Sequence, residues 1–378
     1  MRIFTAIVAT AMAYVFSAPA FGQATYGPRL EGFEYPFEVK NYPLLTQGQQ
    51  LEMAYMDISP TATANGKTAV LLHGKNFCAA TWQASIKVLA GQGYRVVVPD
   101  QIGFCKSSKP QGYQFSLAQL AANTHSLLNS IGVTRPVIIG HSMGGMLTAR
   151  YALQYPQNVE KIVLVNPIGL EDWQAEGVPY ATIDALYANE LKTSFDSIKA
   201  YQLKFYYDSN WKPEYEQWVT MQAGLYGGAG KNIVAMNQAQ TSEMIFTQPV
   251  VHEFGNIRVP AVLIIGGKDR TAPGANRASK ELAGQLGNLD DSVLQRGRQV
   301  AVVDPERTHH DRPREQRELG VEGAEPREVD RLGGRRARRA ARQGRRHDRR
   351  RCVGPRARHG GRDRGGRDAQ PLVEVDGA

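Results

Sequence analysis

From residue 51 onward, apolar positions fall into short runs whose period keeps changing. Residues 51–59, LEMAYMDIS, alternate apolar and polar side chains, the period of a half-buried strand. KTAVLLHG (67–74) is a continuous apolar run ending in His73-Gly74, which predicts a buried strand entering a loop. A helical stretch follows over 82–90, and YRVVVPD (94–100) is the next strand. Residues 116–132 have helical periodicity and stop at Gly132. PVIIG, a helix over 143–155 and EKIVLVNP (160–167) complete the first half. Strands that alternate with helices predict the α/β class, with a mostly parallel sheet covered on both faces.

The alternation stops near residue 166. Residues 166–255 carry 14 of the 32 aromatic residues, read as helical, and are broken at Pro179, Pro213 and YGGAG (226–230). VPAVLIIGGKD (259–269) then restores a buried strand. A helical insertion between two strands of one sheet is expected to cap the sheet's C-terminal edge. The domain reading is therefore a core over 25–165, a helical cap over 166–255 and a second core segment over 256–288.

Charge changes the picture at both ends. The net charge is +9, but residues 289–378 hold 23 Arg and 16 acidic residues without one aromatic, Ile or Met. Such a segment lacks the means to build a core and is expected to be unstructured. Its Arg-Gly-Ala-Pro bias is that of GC-rich coding DNA read in a shifted frame. At the other end, Arg2 precedes a mostly apolar run over 3–16 and small residues through Ala24. That is the layout of a secretory signal peptide over 1–24, cleaved after Ala20 or Ala24, and it predicts export to the periplasm or medium. The run is shorter than the roughly 20 residues that span a bilayer, so no stable membrane insertion is expected after cleavage.

The candidate chemistry centres on Gly140-His141-Ser142-Met143-Gly144, a G-x-S-x-G motif between a strand and a helix. A serine at so sharp a turn is strained, and small residues are needed two positions to either side. Ser142 is the candidate nucleophile; the side chain of His141, its neighbour, is expected to point away from the hydroxyl. An acyl-transfer serine also needs donors for the oxyanion. The backbone amides of Met143 and of Lys75, in the loop after His73-Gly74, are the candidates. Asp269, ending the strand in IIGGKDR, is the candidate acid that orients a histidine, with Glu171 and Asp172 in reserve. Of the three cysteines, Cys78 and Cys105 form a bridge or remain two buried thiols, and spacing alone leaves both readings open.

These landmarks, HGKNFCAATW, PDQIGFCKSSKP, GHSMGG, YPQNVEKIVLVNP and VLIIGGKDR, resemble in order and spacing those of the α/β-hydrolase superfamily. The likeness covers roughly residues 26–288 and is closest to exported bacterial members related to esterases and carbon–carbon bond hydrolases. It implies the α/β-hydrolase fold, an eight-stranded, mostly parallel sheet with a helical cap, and a Ser-Asp-His triad. It also implies that Cys78 and Cys105 lie on neighbouring loops near the site mouth, which favours a disulfide in an oxidising compartment. A serine at the elbow sets the chain apart from members that place an aspartate there.

The triad histidine should follow the last strand, behind a glycine. QVAVV (299–303) can form that strand, and His309 or His310 falls at the right distance, though in Arg-rich surroundings. His309 is the candidate base. If the frame shifts near residue 288, the native last strand, base and closing helix are missing and the chain is an inactive remnant. His125 and His252 read as structural. The expected activity is that of a serine hydrolase on an apolar or aromatic carboxylic ester, with a carbon–carbon bond hydrolase on the same residues as the alternative. No metal-ligand cluster, phosphate loop or dinucleotide fingerprint occurs, so no cofactor is expected. The Arg-rich tail lacks interleaved aromatics for base stacking, so the partner is a small molecule rather than nucleic acid. Oligomeric state and the acyl and leaving groups stay open.

Overall fold

The computed structural model describes residues 24–287 and 300–303. The expected signal peptide over 1–24, but for Ala24, the expected tail over 289–378, but for 300–303, and His309 lie outside the described residues.

The described residues form eight strands, β1 (Val39–Thr46), β2 (Gln49–Ile58), β3 (Thr68–Leu72), β4 (Arg95–Pro99), β5 (Val137–His141), β6 (Lys161–Val165), β7 (Ala261–Ile264) and β8 (Val300–Val303). They form one sheet in the order β1-β2-β4-β3-β5-β6-β7-β8. β2 is antiparallel to β1 and β4, and all later pairings are parallel. Side chains that alternate along a strand enter two different cores. Val70 and Leu72 of β3 join one cluster and Leu71 the other. Val97 of β4 is likewise separated from Val96 and Val98. That is why these strands read as continuous apolar runs rather than alternating ones.

Helix α1 (Gln83–Gly91) packs Ile86 and Ala90 onto one face. The other face is covered by α2 (Leu117–Ser130) and α3 (Met143–Gln154). Ser116 caps α2 by accepting from the Gln119 amide at 3.0 Å, which fixes the helix start at the predicted place. Between β6 and β7 come α4 (Ile183–Glu190), α5 (Phe195–Phe205), α6 (Glu216–Gly227) and α7 (Lys231–Thr247). The breaks anticipated at Pro179, Pro213 and YGGAG fall before α4, between α5 and α6, and between α6 and α7. A short helix, α8 (Lys280–Ala283), follows β7. No helix among the described residues is long and apolar enough to cross a membrane.

Two expectations change. β1 was not anticipated, because VKNYPLLT mixes polar residues and a proline; it is an edge strand, where a proline costs no ladder bond on its open side. The last strand is not missing. β8 pairs with β7 in parallel from Ala261↔Val300 to Ile264↔Val303, because four consecutive small or β-branched residues suit an otherwise open parallel edge.

Candidate active site

Ser142 lies between the end of β5 and the first residue of α3, with φ 55° and ψ −119°. A residue with a side chain rarely takes that conformation, and the surroundings enforce it. A Cβ at Gly140 would overlap the Gly144 carbonyl and the Thr148 hydroxyl; one at Gly144 would overlap the Leu72 carbonyl. At Gly145 it would meet Pro167. The glycines thus let α3 begin directly against β3 and β5. The Ser142 amide donates to the Val165 carbonyl at 3.1 Å, tying the turn to β6.

Ser142 lines a cavity of about 220 Å³ between the sheet and the cap helices. Trp173, Tyr201, Tyr206, Ile245 and Phe246 make much of the wall apolar, and Lys75 and Asn76 enter from the loop after β3. Neither the Lys75 nor the Met143 amide donates to the chain among the described residues. Both candidate oxyanion donors are therefore uncommitted beside the serine.

The loop that carries Lys75 is held from three sides. His73 is 1 % exposed, and its Nε2 accepts from the Gln101 amide at 3.0 Å. Its Nδ1 must then carry the proton and donate to the Gly74 carbonyl at 2.9 Å, so the ring is a neutral strut between the ends of β3 and β4. Burial lowers its pKa, in keeping with that tautomer. Asp100, fully buried, accepts from the Ala79 amide at 2.7 Å, the Tyr35 hydroxyl at 2.7 Å and the Lys106 amide at 3.1 Å. The third tie is a Cys78–Cys105 disulfide, with Cα atoms 5.8 Å apart, so the bridge takes the place of two free thiols. Lys75, which had no side-chain role in sequence, forms a half-buried ion pair at 2.8 Å with Glu190 at the end of α4. Tyr226 of α6 donates to the other Glu190 oxygen at 2.8 Å. The loop that carries Lys75 is thereby fastened to the cap.

Asp269 follows β7 and accepts from the Thr271 amide at 2.8 Å. Its charge acts on His141, Tyr201 and Tyr206, and its neighbour Thr271 lines the cavity while Asp269 itself does not. Tyr206, just after α5, interacts with the Ser142 side chain. Burial first, then Tyr201 and Asp269, hold its phenol pKa well above the ordinary value, so it remains a proton donor. Tyr201 is pushed up to about 12, again chiefly by burial. The aromatic richness of the cap was visible in sequence; which tyrosine reaches the serine was not.

The reserve acids are engaged elsewhere. Glu171 accepts from Trp173 Nε1 at 2.9 Å and from the Gly287 amide, and Asp172 pairs with His252 at 2.8 Å. Neither lines the cavity. His125 bonds the Tyr151 hydroxyl and stacks on Tyr155 at 3.9 Å. His141 packs edge-on against Phe77, Trp82 and Tyr206, with ring centroids 5.6, 6.5 and 5.8 Å away. Burial drives its pKa down to about 4, with Asp269 opposing and His73 assisting. So among the described histidines none presents a free ring nitrogen to the Ser142 hydroxyl in a hydrogen bond, and the candidate base, His309, lies outside the described residues.

A family model described as the alpha/beta hydrolase fold matches residues 68–295. Among solved structures, the chain is similar to a probable hydrolytic enzyme from Pseudomonas aeruginosa PAO1. The identity is 53 % and the TM-score 0.73, over 75 % of this chain and 91 % of that one. An esterase from Exiguobacterium antarcticum shares the fold at 19 % identity and a TM-score of 0.54, over 70 % and 90 % of the two chains. A Synechocystis protein named "Putative non-heme chloroperoxidase" is 30 % identical over 166 residues, 43 % of this chain. The match spans 59 % of that relative's length, and 42 % of the length of a second relative, from Serratia proteamaculans.

Proposed function

The chain belongs to the α/β-hydrolase fold family, and from that premise we propose that this hydrolase cleaves an apolar or aromatic carboxylic ester through an acyl-serine intermediate. One observation carries the reading: Ser142 sits in a strained turn on the wall of an aromatic-lined cavity, beside two uncommitted amides.

In this mechanism Ser142 Oγ attacks the ester carbon while a base removes its proton. The Lys75 and Met143 amides hold the oxyanion that forms, an arrangement worth most where water is excluded. The base returns the proton to the departing alcohol, and water then attacks the acyl-serine by the reverse proton path. Asp269 orients and stabilises the protonated base. The base is assigned to His309 on its distance from Asp269 in sequence. Tyr206, kept protonated, is placed to hold the serine hydroxyl in the resting site. The Cys78–Cys105 bridge supports an exported enzyme, since such bonds persist in oxidising compartments.

The test is turnover of p-nitrophenyl esters together with fluorophosphonate labelling read by peptide mass. Wild type should hydrolyse short or aromatic esters and carry the label on Ser142, and Ser142→Ala should lose both. His309→Ala should lower kcat by roughly 10³-fold or more if that residue is the base. An unlabelled Ser142 with no turnover of any ester would overturn the reading.

A further inference from the structure

The cavity beside Ser142 is lined by an arginine that no acidic side chain among the described residues pairs. Arg277 shares the cavity wall with Ser142 and is held there by two contacts. Its Nε donates to the Pro179 carbonyl at 3.0 Å. Its guanidinium lies over the Phe246 ring, 5.2 Å from the centroid. Gly274, where φ is 93°, lies close by, since a Cβ there would come within 2.8 Å of one terminal nitrogen and 3.3 Å of the other. Glycine at position 274 therefore serves both the backbone and the close approach. A side chain held this way loses little freedom on binding a ligand.

No acidic side chain among the described residues forms an ion pair with Arg277. Glu243 also lines the cavity, where one of its oxygens accepts from the Tyr180 hydroxyl at 2.7 Å, and it forms no ion pair with Arg277. The other cation of the wall, Lys75, is matched by Glu190. Burial lowers the Arg277 pKa and no acid opposes it, although the group stays charged. A partly buried guanidinium held by one hydrogen bond and an aromatic ring, with neither terminal nitrogen paired to an acid among the described residues, suits the two oxygens of a carboxylate.

We propose that Arg277 is a specificity residue and that the substrate is an ester whose acyl chain ends in a carboxylate, the hemiester of a dicarboxylic acid. This rests on the reading of the cavity as the acyl site beside Ser142. Arg277 takes no part in bond making; it binds the far end of the acyl chain and so sets which carbonyl reaches the serine.

The experiment compares mono-p-nitrophenyl esters of glutaric to suberic acid with neutral p-nitrophenyl esters of matched chain length. In wild type, kcat/KM for the best-fitting hemiester should exceed that of its neutral match by about 10- to 100-fold, the range of a charged hydrogen-bonded contact. Arg277→Met should bring that ratio to about one, and Arg277→Lys, which keeps the charge without the fork, should retain part of it. A wild-type ratio near one at every length, or a preference that survives in Arg277→Met, overturns the proposal. A second readout needs no turnover: millimolar adipate should raise the melting temperature of wild type and not of Arg277→Met. If no ester is hydrolysed and Ser142 stays unlabelled while adipate still stabilises wild type alone, the serine mechanism fails and the carboxylate site stands. Absence of any adipate effect on wild type sinks the site itself.

Discussion

At the scale of single residues, the elbow depends on atoms that are not there. Gly144 packs its Cα against the Leu72 carbonyl, and the contact is backbone on backbone, so neither side can swing away. Gly144→Ala should therefore cost at least about 2 kcal/mol, a fall of roughly 4–8 °C in melting temperature for a domain of this size, measurable by calorimetry. A second residue-scale expectation concerns acid. His141 has its pKa lowered to about 4, mainly by burial, against 6.5 when free. The unfolded chain thus binds more protons between those values, and stability falls as pH drops from about 6.5 to about 4. Below that window the contribution is flat. Replacing His141 by Phe, which keeps the aromatic contacts, should reduce the slope of this part of the stability profile in urea titrations from pH 4 to 7, leaving the shares of His73 and His125, whose pKa values burial also lowers.

At the scale of elements, the loop between β3 and α1 matters most. It carries the Lys75 amide and is tied by His73, Asp100 and the disulfide to the loop after β4. The bridge closes a 27-residue separation, so removing it should destabilise the fold by about 3–4 kcal/mol on the chain-entropy estimate. A Cys78→Ser, Cys105→Ser double variant should also lose about tenfold in kcat with a smaller change in KM. That is less than the 10²–10³ for outright loss of an oxyanion donor, because His73 and Asp100 remain. Ester kinetics and thermal melts with and without reductant check both numbers. Glu190→Gln probes the other anchor, since it removes the charge that fastens the cap to Lys75; it should raise KM more than it lowers kcat.

At the scale of the whole molecule, the sheet ends in a short strand drawn from beyond the recognisable family sequence. β8 covers the edge of β7, and an uncovered parallel edge invites pairing with other chains. A chain ended at residue 287 should aggregate or melt earlier than one ended at residue 312, as gel filtration and melting curves would show. The other end matters too. The Tyr26 amide donates to the Gly224 carbonyl at 2.9 Å, and Gly228 and Gly230 leave room for Tyr26 and Pro28. The segment just after the expected cleavage site therefore packs on α6 and the turn before α7.

Strands β2 to β7 and helices α1 to α3, among them the elements next to Ser142 and Asp269, were legible because local rules govern them. Apolar runs mark strands buried on both faces, Ser116 marks a helix start, and G-x-S-x-G is written by sterics within five residues. β1 escaped because an edge strand with one wet side keeps no strict pattern. The lysine and glutamate that lock the cap, 115 residues apart, had no local signal, since ion pairing needs only proximity in space. The same holds for Tyr206 above Ser142 and for Arg277 beside Phe246 and Gly274. Sequence alone determined the inner strands of the sheet and the elbow, because backbone sterics and periodicity act between near neighbours, and the landmarks around them pointed to hydrolase chemistry. Tertiary structure decided which cap residues face the serine and which charges find no partner among the described residues, because those follow from where distant segments meet.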